Sequence, residues 1–315
     1  SLSANAAEAG TATSEPIDKM LRVAMGGRDL GKCIGFAGGS ASAPEVDSET
    51  GYVVGDWIFA YDDSASVGRF RRIWAMPGAD VLTLDKDLHF TPATADVAHA
   101  VVDCYLHELA LTQHTHAEHK TCALYFQGQS GDDALDILGA KLAATIEPIT
   151  AGEPLKLSFE VPHARSRHEE LQAVTLTGTV YGEAGLVPGQ GNASITEIAP
   201  TGDPLATLLI RGSVTITLGI GWEPDSSPSG TEGVNGWVAT GMGETKIEVM
   251  VDHDDAWHEA FRAETEYHFM HQVGDQPTGA VAFYAPRMVL AEEPVRVDEN
   301  GLSSSKLVFL CLVDE

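Results

Sequence analysis

Toward its end the chain reads Ala285-Pro286-Arg287, then Glu293-Pro294-Val295-Arg296-Val297-Asp298-Glu299-Asn300-Gly301-Leu302, then the apolar run Lys306 to Val313. A Pro, an acidic Gly turn and a closing apolar segment are β features, because Pro belongs to strand edges and bulges and Gly to tight turns. The stretch before it agrees. Thr245 to Val251, Tyr267 to Val273 and Ala280 to Tyr284 are strand-like, and only Asp254 to Thr265, with Trp257 and Phe261, suggests a surface helix.

The same alternation extends toward the N-terminus. Leu155, Leu157, Phe159 and Val161 recur with a period of two, as do Val174, Leu176 and Val180. Ile210, Val214, Ile216, Leu218 and Ile220 mark another strand, and Thr121 to Gln127 one more. Ala134 to Ile146 is read as broken at Gly139-Ala140-Lys141, and Glu223 to Gly236 as a Pro, Ser and Gly turn region. Earlier, Ser14 to Gly26 has a helix start at Ser14-Pro16 and one apolar face of Ile17, Met20, Leu21 and Ala24. Gly35 to Thr50 is Gly, Ala and Ser-rich and reads as a loop, Tyr52 to Tyr61 as a strand, and Arg69 to Trp74 as a small basic patch. Thr91 to Leu111 is ambiguous: Thr91-Pro92 and the recurrence of Val97, Val101, Tyr105 and Leu109 every four favour a helix in its first part, while the alternation from Cys104 to Leu109 also allows a strand. The expected fold is mainly β, an antiparallel β-sandwich with one or two short helices, in a single domain over 1–315.

Composition narrows the function. Nineteen Lys and Arg against 46 Asp and Glu leave a formal charge of −27 over 315 residues. So anionic a surface disfavours electrostatic capture of nucleic acid or acidic lipid. No apolar run approaches the roughly 18 residues a membrane-spanning helix needs. Residues 1–13 are small and polar, without a basic start or apolar centre; they are expected to be an arm ordered by a partner rather than a signal peptide. Cys33, Cys104, Cys122 and Cys311 form no CxxC pair and are expected to be buried free thiols.

Candidate chemistry is sparse. His114, His116 and His119, with Glu118 between, have the residue types of a metal site and superficially suggest a cupin-type barrel. The carboxylate follows the second His too closely for that family. Asp252, His253, Asp254, Asp255, His258 and Glu259 are dense enough in carboxylate for Ca²⁺, yet they lack the spacing of a calcium loop and suit an acidic helix start. Ser166 with His163, His168 and Glu169 has the members of a hydrolase triad without a nucleophile elbow. No phosphate-cradling Gly motif occurs. Trp57, Trp74, Trp222, Trp237 and Trp257 could line a sugar platform or simply fill a core. No catalytic, cofactor or metal residue is therefore assigned, and no enzyme activity is expected.

The order of these β features resembles the major tail tube protein of long-tailed bacteriophages. The resemblance is carried by the terminal stretch quoted first, by Ser14-Glu15-Pro16-Ile17 through Met25-Gly26, and by the run from Lys120 to Gly128 through Asp136 to Leu142 and Ala151-Gly152-Glu153-Pro154 to Val161. It covers about residues 14–26 and 120–315. Residues 37–115 do not match and are read as an insertion or an elaborated outer region. The resemblance implies a virion structural protein, made in the host cytoplasm, that needs no cofactor and no membrane. Six copies would close a ring through their sheet edges, and rings would stack into a tube with other tail proteins. Genome DNA would pass along the lumen unbound, repelled by acidic walls. Two further readings stand beside it: a β-sandwich module that binds carbohydrate on a virion or cell surface, and a cupin-like metal-dependent enzyme using His114 and His116.

Overall fold

The computed structural model describes residues 2–4, 20–21, 23–24, 28–29, 34–99, 104–106, 122–127, 134–164, 166–170, 194–219, 221–231, 234–240, 245–276, 279–299 and 302–312. Its first nine strands are β1 (Leu2–Ala4), β2 (Arg28–Asp29), β3 (Ile34–Gly39), β4 (Pro44–Val46), β5 (Trp57–Asp62), β6 (Val67–Gly78), β7 (Val81–Leu84), β8 (Val97–His99) and β9 (Cys104–Leu106). Next come β10 (Cys122–Gln127), β11 (Ala134–Ile146), β12 (Ile149–Thr150), β13 (Leu157–His163), β14 (Ser166–Glu170), β15 (Ser194–Pro200), β16 (Ala206–Thr207) and β17 (Ile210–Thr217). The last are β18 (Gly221–Thr231), β19 (Val234–Thr240), β20 (Lys246–Asp252), β21 (Tyr267–Gln276), β22 (Gly279–Leu290), β23 (Val295–Glu299) and β24 (Leu302–Cys311). The protein is mainly β, built from antiparallel sheets.

A twelve-stranded sheet forms the body, with main path β12-β17-β20-β24-β22-β1-β9-β2 and with β15, β16, β21 and β23 branching from it. Its long strand β22 pairs with β21 on one side; on the other it pairs first with β1 and then with β24. Pro286 falls where the β21 ladder shifts register, between the pairs Phe269↔Ala285 and Tyr267↔Met288. A missing N–H does least harm at such a bulge. The sheet's core gathers Val214, Ile247, Val249, Phe269, Met288, Leu307 and Phe309. The helix Ala256–Arg262, within the surface helix expected over 254–265, lays Trp257 and Phe261 against that core.

Residues 34–99 contain a closed six-stranded barrel, β3-β4-β7-β6-β5-β8, with its own core of Phe36, Val46, Ile58, Ala60, Ile73 and Leu82. The run Trp57-Ile58-Phe59-Ala60 is apolar on both faces because both are covered. Ile58 and Ala60 point into the barrel, while Trp57 and Phe59 pack with Phe70, Met270, Ala280 and Ala282 at the joint with the large sheet. Apart from residues 34–36, the start of β3, the barrel falls inside the stretch 37–115 read as an insertion.

Several expectations need correction. The loop expected over 35–50 contains β3 and β4, whose glycines serve the bend: Gly39 takes a φ of 92° and a Cβ there would meet Glu45 N at 2.5 Å. The helix expected in the first part of 91–111 is absent from the described residues: 91–96 are coil and turn, and β8 and β9 follow. The turn region expected over 223–236 is instead most of a β18–β19 hairpin. Gly139-Ala140-Lys141 is not a turn but the middle of β11, where Gly139 has a φ of 59° and the strand changes partners from β10 and β14 to β13. Of the N-terminal arm, residues 2–4 pair within the same chain, with β22 and β9. The strand expected over 174–181 lies outside the described residues.

Candidate functional site

The most concentrated chemistry among the described residues is the charged joint between barrel and sheet. Alternation along β6 puts Arg69 and Arg71 on one face, and both are buried. The "basic patch" of the sequence is thus an internal one. From the opposing sheet, β15 presents Glu197, which is 0% exposed. Arg71 Nη1 donates to Glu197 Oε2 at 3.2 Å, and Lys86 donates to Oε1 of the same carboxylate. A buried carboxylate held by two cations on the far side of a joint is costly to separate, because either half alone would bury an uncompensated charge.

Neighbouring groups complete the joint. Gln272, also 0% exposed, accepts from Phe70 N–H at 3.0 Å and donates to the carbonyls of Gly68 and Gly274 at 2.9 and 2.7 Å. Gly68 is required here: a Cβ would stand 2.2 Å from the Phe59 ring and 2.9 Å from Asp275 O. Arg69 donates to Gly68 O at 2.9 Å, and burial lowers the pKa of its guanidinium. Asp85 Oδ1 accepts from Arg72 N–H at 3.0 Å, while Oδ2 is buried without a hydrogen bond. Desolvation pushes the Asp85 carboxyl up to about 6. His271 Nδ1 lies 2.9 Å from Thr196 Oγ1, its Nε2 has no partner, and burial pushes the ring down to about 4. The pattern is that of an interior fastening, since each named group makes at least one hydrogen bond to protein.

The structure separates the other candidates. His114, His116 and His119 lie outside the described residues. The acidic-His run divides into pairs: His253 Nδ1 lies 2.9 Å from Ser305 Oγ and its Nε2 3.5 Å from Asp255, His258 sits 3.3 Å from Glu293, and Asp252 accepts from Arg211. Asp254 Oδ1 accepts from Ala256 N–H at 2.9 Å, as an acid at a helix start does. Among the described residues no group of three or more His, Cys, Asp or Glu is placed to hold a metal ion. Ser166, His168 and Glu169 share β14, opposite Leu138, Asp136 and Leu135, whereas His163 ends β13 with its ring 6.0 Å from that of Trp237. Trp57, Trp222 and Trp237 are buried and Trp257 is half-buried, so only Trp74, 57% exposed, offers a ring to solvent. Cys311 is a free thiol that burial raises to about 11. No helix among the described residues is long and apolar enough to cross a membrane.

Sequence reasoning missed Glu197, Asp85 and Gln272. The one available cue was a lone carboxylate between Ile195 and Ile198 in a strand otherwise suited to burial. Comparison with family models and with curated proteins finds no match for the chain.

Proposed function

We propose that the protein is a structural subunit of a phage tail tube, without catalytic activity, that closes into rings and stacks them into a conduit for DNA. The observation that carries this reading is the twelve-stranded sheet, which among the described residues does not close on itself and ends at β12 and β2, with β16 and β23 as further margins. An open margin leaves backbone donors and acceptors for a neighbouring copy to pair with, and a head-to-tail contact that closes by rotation gives a ring. The charge of −27 supports the same role, because an acidic lumen would not hold a passing polyphosphate. Negative-stain electron microscopy of the purified chain, over a range of concentration and salt, tests it. Rings or hollow tubes with a regular axial repeat are expected; a dispersed monomer or trimer throughout would sink the reading.

A further inference from the structure

The barrel carries apolar side chains that the described residues leave exposed. Val53 is 53%, Val54 60% and Trp74 57% exposed. Backbone bonding draws them together. Ile73 N–H donates to Asp56 O and Gly55 N–H donates to Ile73 O, each at 2.8 Å, so two residues face one across the ladder and Val54 and Trp74 flank the bulge. Val53 N–H donates to Asp56 Oδ2 at 3.0 Å, which fixes the turn.

Arg72 stands beside them. Its Nε donates to Gly55 O and its Nη1 to Tyr284 Oη, both at 3.4 Å, and its guanidinium lies 5.8 Å from the Tyr284 ring centroid. Among the described residues no carboxylate forms an ion pair with this guanidinium, although the chain carries 46 acids. A half-buried arginine whose guanidinium forms no ion pair among the described residues, next to an exposed tryptophan and two valines, has the composition of an interface centre.

The charge balance selects the occupant. A basic partner would be drawn to the acidic surface elsewhere, and a polyanion without apolar surface would leave Trp74 and the valines uncovered. A second copy of this chain brings both apolar surface and an excess of carboxylates. We propose that Val53, Val54, Trp74 and Arg72 form a self-association surface, on which an acid-rimmed apolar surface of a second copy seats with a carboxylate on Arg72. The proposal rests on the assembly reading and names one contact within it.

The test compares wild type, Trp74→Glu, Arg72→Gln and Val54→Asp with Leu209→Glu, whose side chain is 77% exposed elsewhere. Sedimentation velocity and electron microscopy read the concentration needed for assembly, and circular dichroism checks the fold. The three surface variants should raise that concentration by about tenfold or more, and Leu209→Glu should not. Should Trp74→Glu fail to fold, Val54→Asp in the turn carries the same comparison. Folded surface variants that assemble like wild type would overturn this contact while leaving the tube reading intact. A wild type that never assembles would overturn both.

Discussion

Lys141 Nζ stands 3.7 Å from the centroid of the Trp222 ring, and the two side chains bond to consecutive carbonyls, Val23 O at 3.1 Å and Ala24 O at 2.7 Å. Those carbonyls belong to a helical segment just before Gly26-Gly27, whose Leu21, Val23 and Ala24 pack on Leu142, Phe159 and Val161. A cation and an indole N–H thus satisfy acceptors at the negative side of a helical turn, and stacking on the ring offsets part of the cost of burying the ammonium. Distant segments, β11 and β18, meet over the chain's beginning.

Lys141→Met keeps the stem and removes the ammonium. It should destabilise the fold by about 1–3 kcal/mol, the range for a lost charged hydrogen bond. Trp222→Phe, which leaves Ala24 O without its donor, should cost a similar amount. In urea denaturation the double variant should lose less than the two singles together, because they share one site. Simple additivity would show that the ring and the ammonium act independently.

Glu197→Ala strands Arg71 and Lys86 at the joint. A loss of about 3–5 kcal/mol is expected, the range for breaking a buried pair from one side. Replacing the cluster by apolar groups, as in Glu197→Leu with Arg71→Met and Lys86→Met, should recover most of it. Chemical denaturation reads both; a loss under 1 kcal/mol for Glu197→Ala would mean that water reaches the joint.

Asp85 and His271 give opposing acid responses. The Asp85 carboxyl titrates near 6 in the fold against an ordinary 3.8, so its contribution to stability falls as pH rises between those values. The His271 ring titrates near 4 against an ordinary 6.5, so stability falls as pH drops from about 6.5 toward 4. Asp85→Asn should therefore raise stability at pH 7, by up to about 3 kcal/mol at roughly 1.4 kcal/mol per pH unit, and leave pH 4 little changed. His271→Gln should flatten the acid side. Thermal melts from pH 4 to 7.5 resolve the two, and an unchanged profile for Asp85→Asn would contradict the desolvation argument.

Gly68→Ala drives a methyl into the Phe59 ring, where the space is 2.2 Å. A loss of about 1–3 kcal/mol is expected from such overpacking. Gly152→Ala, with open space but a φ of 84°, is the control for backbone strain alone. Equal losses in thermal melts would show that the ring moves aside.

Much of the sheet was legible because one-sided burial writes a period of two. Leu157, Phe159 and Val161 in β13 alternate as read, the strand expected over 245–251 is β20, and the helix at 256–262 falls within the surface helix expected over 254–265. The mistaken helix in the first part of 91–111 has a physical cause. A spacing of four, as in Val97, Val101 and Tyr105, fits the helical period and is also twice the strand period, so it cannot separate them. The barrel's first strands were hidden by Gly and Ala, and the β18 hairpin by its Pro and Ser. The charged joint was illegible for another reason: Arg71 and Glu197 are 126 residues apart, and only the register of two sheets brings them together.

The barrel also has a single doorway. Strand β2 just before it and β9 just after it pair with each other, Arg28↔Leu106 and Asp29↔Tyr105, so the chain leaves and rejoins the sheet at one place. With its entry and exit strands paired, the barrel is a unit that can be replaced without rethreading the body. Glu197 sets the toll on that freedom. Any replacement must bring its own cations to the carboxylate waiting in β15, or the exchange must take the carboxylate away as well.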